Sequence, residues 1–236
     1  MNILRKIKQF LWPEICPFCG KVYRAGICPS CQKLLNDLRI QEPRCLKCGK
    51  PIRYHEKEYC HDCQNTQHYF EQGKSLWLHK SPVNQSIYQF KYHNQREFSQ
   101  YYAKALAEAY ASDVKRWKPD VLIPIPLHAR RRRKRGYNQA ELLAKELSKC
   151  LKIPVDSKTV RRVRYTNPQK KMDHSKRKSN LKQAFSVKPF PARVKTVLLI
   201  DDIYTTGNTI DAVAMELKKK GVEKVYFLTI SIGQGY

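Results

Sequence analysis

VLLIDDIYTTGNTI, residues 197–210, is the stretch from which the architecture can be read. Val197 to Ile200 are four apolar residues in a row, the pattern of a strand buried on both faces. Asp201 and Asp202 follow at its carboxyl end, where open α/β sheets bind their ligands. Tyr204 to Asn208 form a short polar loop, in which Gly207 permits a positive φ or a close backbone approach. NTIDAVAMELKKKG, residues 208–221, then has the apolar spacing of a helix, with Gly221 placed for a C-cap after three lysines. The loop directs backbone N–H groups toward an anion at the positive end of that helix. Hydroxyls of Thr205, Thr206 and Thr209 add donors. Two adjacent carboxylates beside such a cradle repel most nucleotides, but they suit the vicinal hydroxyls of a ribose. A P-loop is excluded, because GxxxxGK[ST] does not occur.

Outward from this stretch the chain alternates. VLIPIPL (121–127), KTVLLI (195–200) and EKVYFLTISI (223–232) read as strands, and NQAELLAKELSKCLK (138–152) reads as an amphipathic helix. The segment from Gly73 to Lys118 reads as mostly helical, with Phe98, Tyr102, Ala105 and Ala109 on one face. Alternation of this kind predicts an α/β fold with a mostly parallel sheet flanked by helices.

Residues 1–66 are different. Eight of the nine cysteines lie there in four CxxC pairs: Cys16/Cys19, Cys28/Cys31, Cys45/Cys48 and Cys60/Cys63. Each pair is a knuckle that presents two thiolates to one tetrahedral ion, so four pairs predict two structural Zn2+ sites, each held by four cysteines. Sequential pairing is the simplest arrangement; spacing alone leaves a cross-braced one open. With cysteines sufficient, His55, His61 and His68 are expected at the surface. The ninth cysteine, Cys150, is expected to pack as a small apolar residue. The division is therefore a metal-nucleated module over 1–66 and an α/β domain over 67–236.

Size and charge bound the function. The 236 residues (27.8 kDa) suffice for one α/β domain and a small appendage. Hydrophobic residues at 42% exclude wholesale disorder. Lys and Arg number 46 against 20 Asp and Glu, a formal net charge of +26 that argues for a polyanionic partner. The cations cluster: Arg130, Arg131, Arg132, Arg133, Lys134 and Arg135 are consecutive, and residues 158–182 hold ten more against the single acid Asp173. Pyrophosphate alone does not need so many. Single-stranded nucleic acid does, with aromatic rings for stacking, and Tyr92, Tyr137, Tyr165 and Phe185 are interleaved with the cations. The opening MNILRKIKQFLWPEI lacks the features of a secretory signal, and no run has the ~18 apolar residues of a membrane span. A cytoplasmic location is expected, and there the cysteines hold metal rather than disulfides.

The 197–210 stretch resembles the phosphoribosyl-pyrophosphate motif of type I phosphoribosyltransferases. IPIPLHARRRRKRGYNQAELLAKEL, residues 123–147, is similar to the PVPL…RGFNQ segment of the ComF (GntX-like) family, with Tyr137 in place of the usual Phe. Residues 162–185 resemble a second block of that family at Arg162, Thr166, Gln169, Arg177, Asn180, Ala184 and Phe185. The paired zinc knuckles complete the likeness. It implies a type I phosphoribosyltransferase-like domain behind a small double zinc ribbon, in a competence protein acting on incoming single-stranded DNA. It also implies roles. Asp201 and Asp202 would hold the ribose 2- and 3-hydroxyls, and Thr205, Thr206, Gly207, Asn208 and Thr209 the 5-phosphate. Arg162, Gln169 and Arg177 would lie on the pyrophosphate side, in a loop that closes over the site. Mg2+ would come with the phosphoribosyl pyrophosphate. A competence helicase or other DNA-uptake protein would be the partner, in the cytoplasm or at the inner face of the membrane. Two other functions fit the same residues: an active phosphoribosyltransferase on an unidentified acceptor, and a zinc-ribbon interaction module on a non-catalytic scaffold. An acidic pair beside a phosphate loop weighs against the scaffold.

Overall fold

The computed structural model describes residues 14–164, 184–189 and 191–233; Tyr165, Thr166, Gln169, Arg177 and Asn180 lie outside them. The cysteine-rich part contains α1 (Pro29–Leu38) and α2 (His61–Asn65). There follow β1 (Gln72–Leu78), α3 (Val83–Tyr92), α4 (Phe98–Trp117), β2 (Val121–Pro124), α5 (Ala129–Arg135) and α6 (Gln139–Leu151). A short hairpin, β3 (Val160–Arg162) with β4 (Phe185–Val187), precedes β5 (Thr196–Tyr204), α7 (Asn208–Lys218) and β6 (Lys224–Ile232).

The main sheet runs β1-β6-β5-β2, and all three pairings are parallel. The expected α/β class is therefore the observed one. Successive residues of β5 face opposite ways. Leu198 and Ile200 join a core with α3, α4 and α6, whereas Val197 and Leu199 join a second core with α7 and the hairpin. Covering both faces explains why this strand reads as an unbroken apolar run.

Two expectations change. Gln72–Leu78, read as the start of a helical segment, is the edge strand β1. Gly73 to Trp77 are all buried, and a helix would turn at least one of them to water. The cysteine-rich part covers this edge: Ile40 N–H donates to Leu76 O at 3.3 Å, and Arg39 bridges Trp77. The exposed ladder groups of an edge strand are thus partly satisfied. The second change concerns β5, which runs on through the acidic pair instead of ending before it. β6 is long enough to pair with it as far as Ile232, whereas β2 stops at Pro124 opposite Ile200. Asp201 and Asp202 therefore lie beside β6 on one side and beyond the end of the β2 pairing on the other.

The buried side of α4 is Phe98, Tyr102, Leu106, Tyr110, Val114 and Trp117; Ala105 and Ala109 are only half-buried at its margin. Cys150, expected to pack as a small apolar residue, is exposed; in that last turn of α6 it is Leu151 that packs against the core. No helix among the described residues is long and apolar enough to cross a membrane.

Gly73 lies opposite Phe227 in the β1–β6 register, and a Cβ there would fall inside the space of the buried Phe227 ring. Gly73→Ala is expected to lower the unfolding free energy in urea by roughly 1–3 kcal/mol with little change in m-value. A variant as stable as the parent would mean that the ring yields without strain.

Candidate functional site

The site is assembled at the carboxyl ends of the strands. Asp202 Oδ1 accepts an ion-paired hydrogen bond from Lys91 Nζ at 2.8 Å, with both side chains largely shielded from water. Asp201 Oδ1 accepts from the Asp202 amide at 2.8 Å. Burial first, and the Asp202 charge second, push the Asp201 carboxyl up to about 7; Lys91 and Arg162 pull the other way. Arg162 stands within electrostatic reach of both Asp201 and Arg131, and its guanidinium lies 5.3 Å from the Phe185 ring centroid. Burial, then Arg131, lower its pKa. At the end of β1, His79 Nδ1 is hydrogen-bonded to Ser231 Oγ at 2.9 Å. Burial, then the Lys91 charge, depress His79, so its imidazole is neutral at pH 7. Two acids, two cations and a neutral imidazole thus meet at one end of the sheet.

The loop after β5 has the expected form. Gly207 is the N-cap of α7 with φ +79°, and a Cβ there would approach the Tyr204 hydroxyl to 2.6 Å. Conformation and space both require glycine. Thr205 is exposed, while Thr206, Asn208 and Thr209 are half-buried around the turn. No side chain caps α7, so its first amides are not used up by a capping residue. One turn in, Asp211 is bound by the Tyr69 amide at 2.9 Å and by His68 Nδ1. His68 was expected at the surface alongside His55 and His61, which are exposed. Its side chain is instead enclosed, stacked on Phe70, and it ties the end of the cysteine-rich part to α7. Only packing brings residues 68 and 211 together.

The GYNQ stretch holds the other wall. Gly136 ends α5 in the left-handed region at φ +79°. The Tyr137 hydroxyl donates to Phe90 O. Asn138 caps α6 by accepting from the Ala140 amide, and donates to Ile125 O at 3.0 Å. Gln139 donates to Lys91 O and accepts from Arg135 at 3.0 Å. These bonds set the end of α3, and with it Lys91, against Asp202. Lys91 and His79 were not singled out from the sequence. A lysine within QFKYH and a histidine just past an unrecognised strand carry no signal until β1 and α3 are placed.

The eight paired cysteines form two clusters, Cys16/Cys19/Cys28/Cys31 and Cys45/Cys48/Cys60/Cys63, each with its Sγ atoms within 4.8 Å of one another. The pairing is sequential. Burial pushes the Cys31 thiol up, and hydrogen bonding to Cys45, then Cys60, pushes Cys48 up. Hydrogen bonds from Cys48, then Cys60, hold Cys45 down, so the shifts within a cluster are opposed, and four sulfurs at one point suit tetrahedral Zn2+.

A double zinc ribbon domain profile matches residues 7–64, and a phosphoribosyl transferase domain profile matches residues 90–231. Competence protein F of Haemophilus influenzae is 34% identical over 212 residues, covering 86% of this chain and 89% of that protein. Competence protein ComFC of Bacillus subtilis is 30% identical, covering 83% and 79%. The DNA utilization protein YhgH of Escherichia coli is also 30% identical, covering 90% and 94%. The chain belongs to the ComF family. A purine phosphoribosyltransferase from Pyrococcus horikoshii matches at 20% identity and a TM-score of 0.35, over 56% of this chain and 73% of that one; the distance is too great to add weight.

In this ComF-family chain the arginine run is α5, which has no buried residue. Winding divides the run. Arg131 lies within electrostatic reach of Arg162, Arg132 reaches Glu141 at 3.5 Å, and Arg135 lies over Tyr92. Arg130, Arg133 and Lys134 are exposed. The aromatic residues also divide. Tyr137 is 6% and Phe185 4% exposed, hence core, whereas Tyr92 is 51% exposed.

Two measurements probe this arrangement. Cys16, Cys28 and Cys31 belong to one core and Cys45, Cys48 and Cys60 to the other. Metal analysis of the ComF-family protein should find two zinc ions per chain, and chelation should lower the melting temperature of the whole chain by roughly 10 °C or more. An unchanged melt would make the clusters dispensable. For Asp201, the folded pKa lies above the unfolded one. Its contribution to stability is therefore complete below about pH 4 and lost as pH rises through about 7. Asp201→Asn should remove that decline and stabilise the protein at pH 8 by on the order of 3 kcal/mol, read from denaturant midpoints at several pH values. Parallel pH profiles for the two proteins would contradict the burial assignment.

Proposed function

We propose that the carboxyl end of the sheet binds phosphoribosyl pyrophosphate and that the protein handles single-stranded DNA during DNA uptake in the cytoplasm. The observation that carries the first half is the acidic pair in β5, held by Lys91, directly before the Gly207 turn that opens α7. In this reading Asp201 and Asp202 accept hydrogen bonds from the ribose 2- and 3-hydroxyls. Amides and hydroxyls from Thr205 to Thr209 take the 5-phosphate. Arg131 and Arg162 face the pyrophosphate. The acidic pair offers carboxylate oxygens, and Asp201 carries an unfavourable buried charge that a cation relieves, so the pair suits Mg2+. The ion would ride on the ligand's oxygens beside Asp201 and neutralise charge on the pyrophosphate. Competence and DNA-utilization relatives at 30–34% identity support the uptake role, and the net charge of +26 supports a nucleic-acid partner. A competence helicase or other DNA-uptake protein is the partner this role implies.

Turnover is the second reading, favoured by Arg162, which stands within electrostatic reach of Asp201 and of Arg131. The C1–O bond to pyrophosphate would break with the electron pair leaving on oxygen, and an acceptor that loses a proton would form the new bond at C1. The cations would stabilise the departing charge.

Calorimetry and thermal shift with phosphoribosyl pyrophosphate and Mg2+ test the reading. Binding should stabilise the parent, tighten from about pH 6 to about pH 8 as Asp201 gives up its proton, and vanish in Asp201→Asn with Asp202→Asn while the fold survives. Retained stabilisation in that variant would remove the ribose assignment. Pyrophosphate release dependent on one added acceptor would establish turnover.

A further inference from the structure

Helix α3 divides its two faces between two tasks. Inward it carries Val83, Ile87 and Phe90, with Lys91 at its end on Asp202. Outward it carries Tyr88 and Tyr92, one helical turn apart and 54% and 51% exposed. Their ring centroids are 4.9 Å apart with the planes tilted by 46°, and His93 lies 5.5 Å from Tyr88 at a tilt of 49°. At the other end the Arg135 guanidinium lies 4.7 Å from the Tyr92 centroid and donates to its hydroxyl at 2.9 Å. Four flat groups thus form a surface ladder: Arg135, Tyr92, Tyr88, His93. Neither tyrosine serves the core, and Tyr92 stands against Arg135 of the cationic helix α5.

The ladder borders a cavity. Tyr88 lines a space of about 620 Å³ between the Cys16–Gly20 knuckle and the start of α4. Asn84, Gln89 and Gln95 present amides to it, and Asn84 Oδ1 is buried without a hydrogen-bond partner among the described residues. Amides pair donor and acceptor as base edges do, and the unpaired Asn84 oxygen suits an exocyclic amine.

We infer that Tyr88 and Tyr92 form a base-stacking platform for single-stranded DNA, continued by the amide-lined cleft beside the first zinc knuckle. The inference rests on the nucleic-acid half of the proposed function and names its contact surface. Stacking suits a strand of any sequence, since every base has a π-face, and α5 supplies cations for the backbone. A duplex keeps its base faces covered and gains nothing from the ladder. Tyr92 directly follows Lys91, so a bound strand passes next to the acidic site.

The test uses the full zinc-loaded chain and fluorescence anisotropy. The probes are labelled oligothymidylate, an abasic strand of equal length, and a duplex. Tyr88→Ala with Tyr92→Ala should weaken oligothymidylate binding about tenfold or more, leave the abasic strand and duplex unchanged, and keep the salt slope. Tyr88→Phe with Tyr92→Phe should bind like the parent, since the ring face and not the hydroxyl is used. Arg130 to Arg133 changed to Ser should weaken all three probes and flatten the slope. Equal binding by the alanine variant and the parent, or equal loss on the thymidylate and abasic strands, would overturn the platform while leaving DNA binding intact. A parent that binds none of the probes would overturn the DNA reading and the platform together.

Discussion

The 2.8 Å ion pair between Lys91 and Asp202 is the contact that holds the candidate site together. Two adjacent carboxylates in a partly desolvated strand repel one another and resist burial. The structure meets that cost with one lysine on the last turn of α3. Lys91 is in turn fixed by Tyr137, which holds the carbonyl of Phe90, and by Gln139, which holds its own. Even so, Asp201 is left with its carboxyl pushed up to about 7. That charge is costly where it stands, on the part of β5 that continues past the last residue paired with β2.

The cysteine-rich part is integral to the α/β domain. Its first cluster contributes Cys16, Phe18, Cys28 and Cys31 to the core shared with α3 and α4, and its second contributes Cys45, Cys48 and Cys60 to the core shared with α7. It also covers the edge of β1 and, through His68 and Asp211, reaches the helix that follows the Gly207 turn. Zinc chemistry and the ligand end of the sheet are therefore mechanically joined without sharing a ligand atom.

Charge is distributed by helical winding as much as by composition. The six consecutive cations of α5 are divided: Arg131 lies within electrostatic reach of Arg162, Arg132 reaches Glu141, Arg135 lies over Tyr92, and Arg130, Arg133 and Lys134 are exposed.

The α/β class, the two four-cysteine sets and the strand–acid–loop–helix order around Asp201 were legible in the linear chain, because each is written in local spacing. An apolar run, a CxxC pair and a glycine before a helix depend only on near neighbours. Packing alone made Gln72–Leu78 a strand, since its five buried residues need β6 and α4 to cover them. Packing alone brought Lys91 and His79 to the site and enclosed His68. It also put Tyr137 and Phe185 in the core while Tyr88 and Tyr92 face water. All of these turn on partners far away in the chain, and no local pattern encodes which distant surface will exclude water from a given side chain.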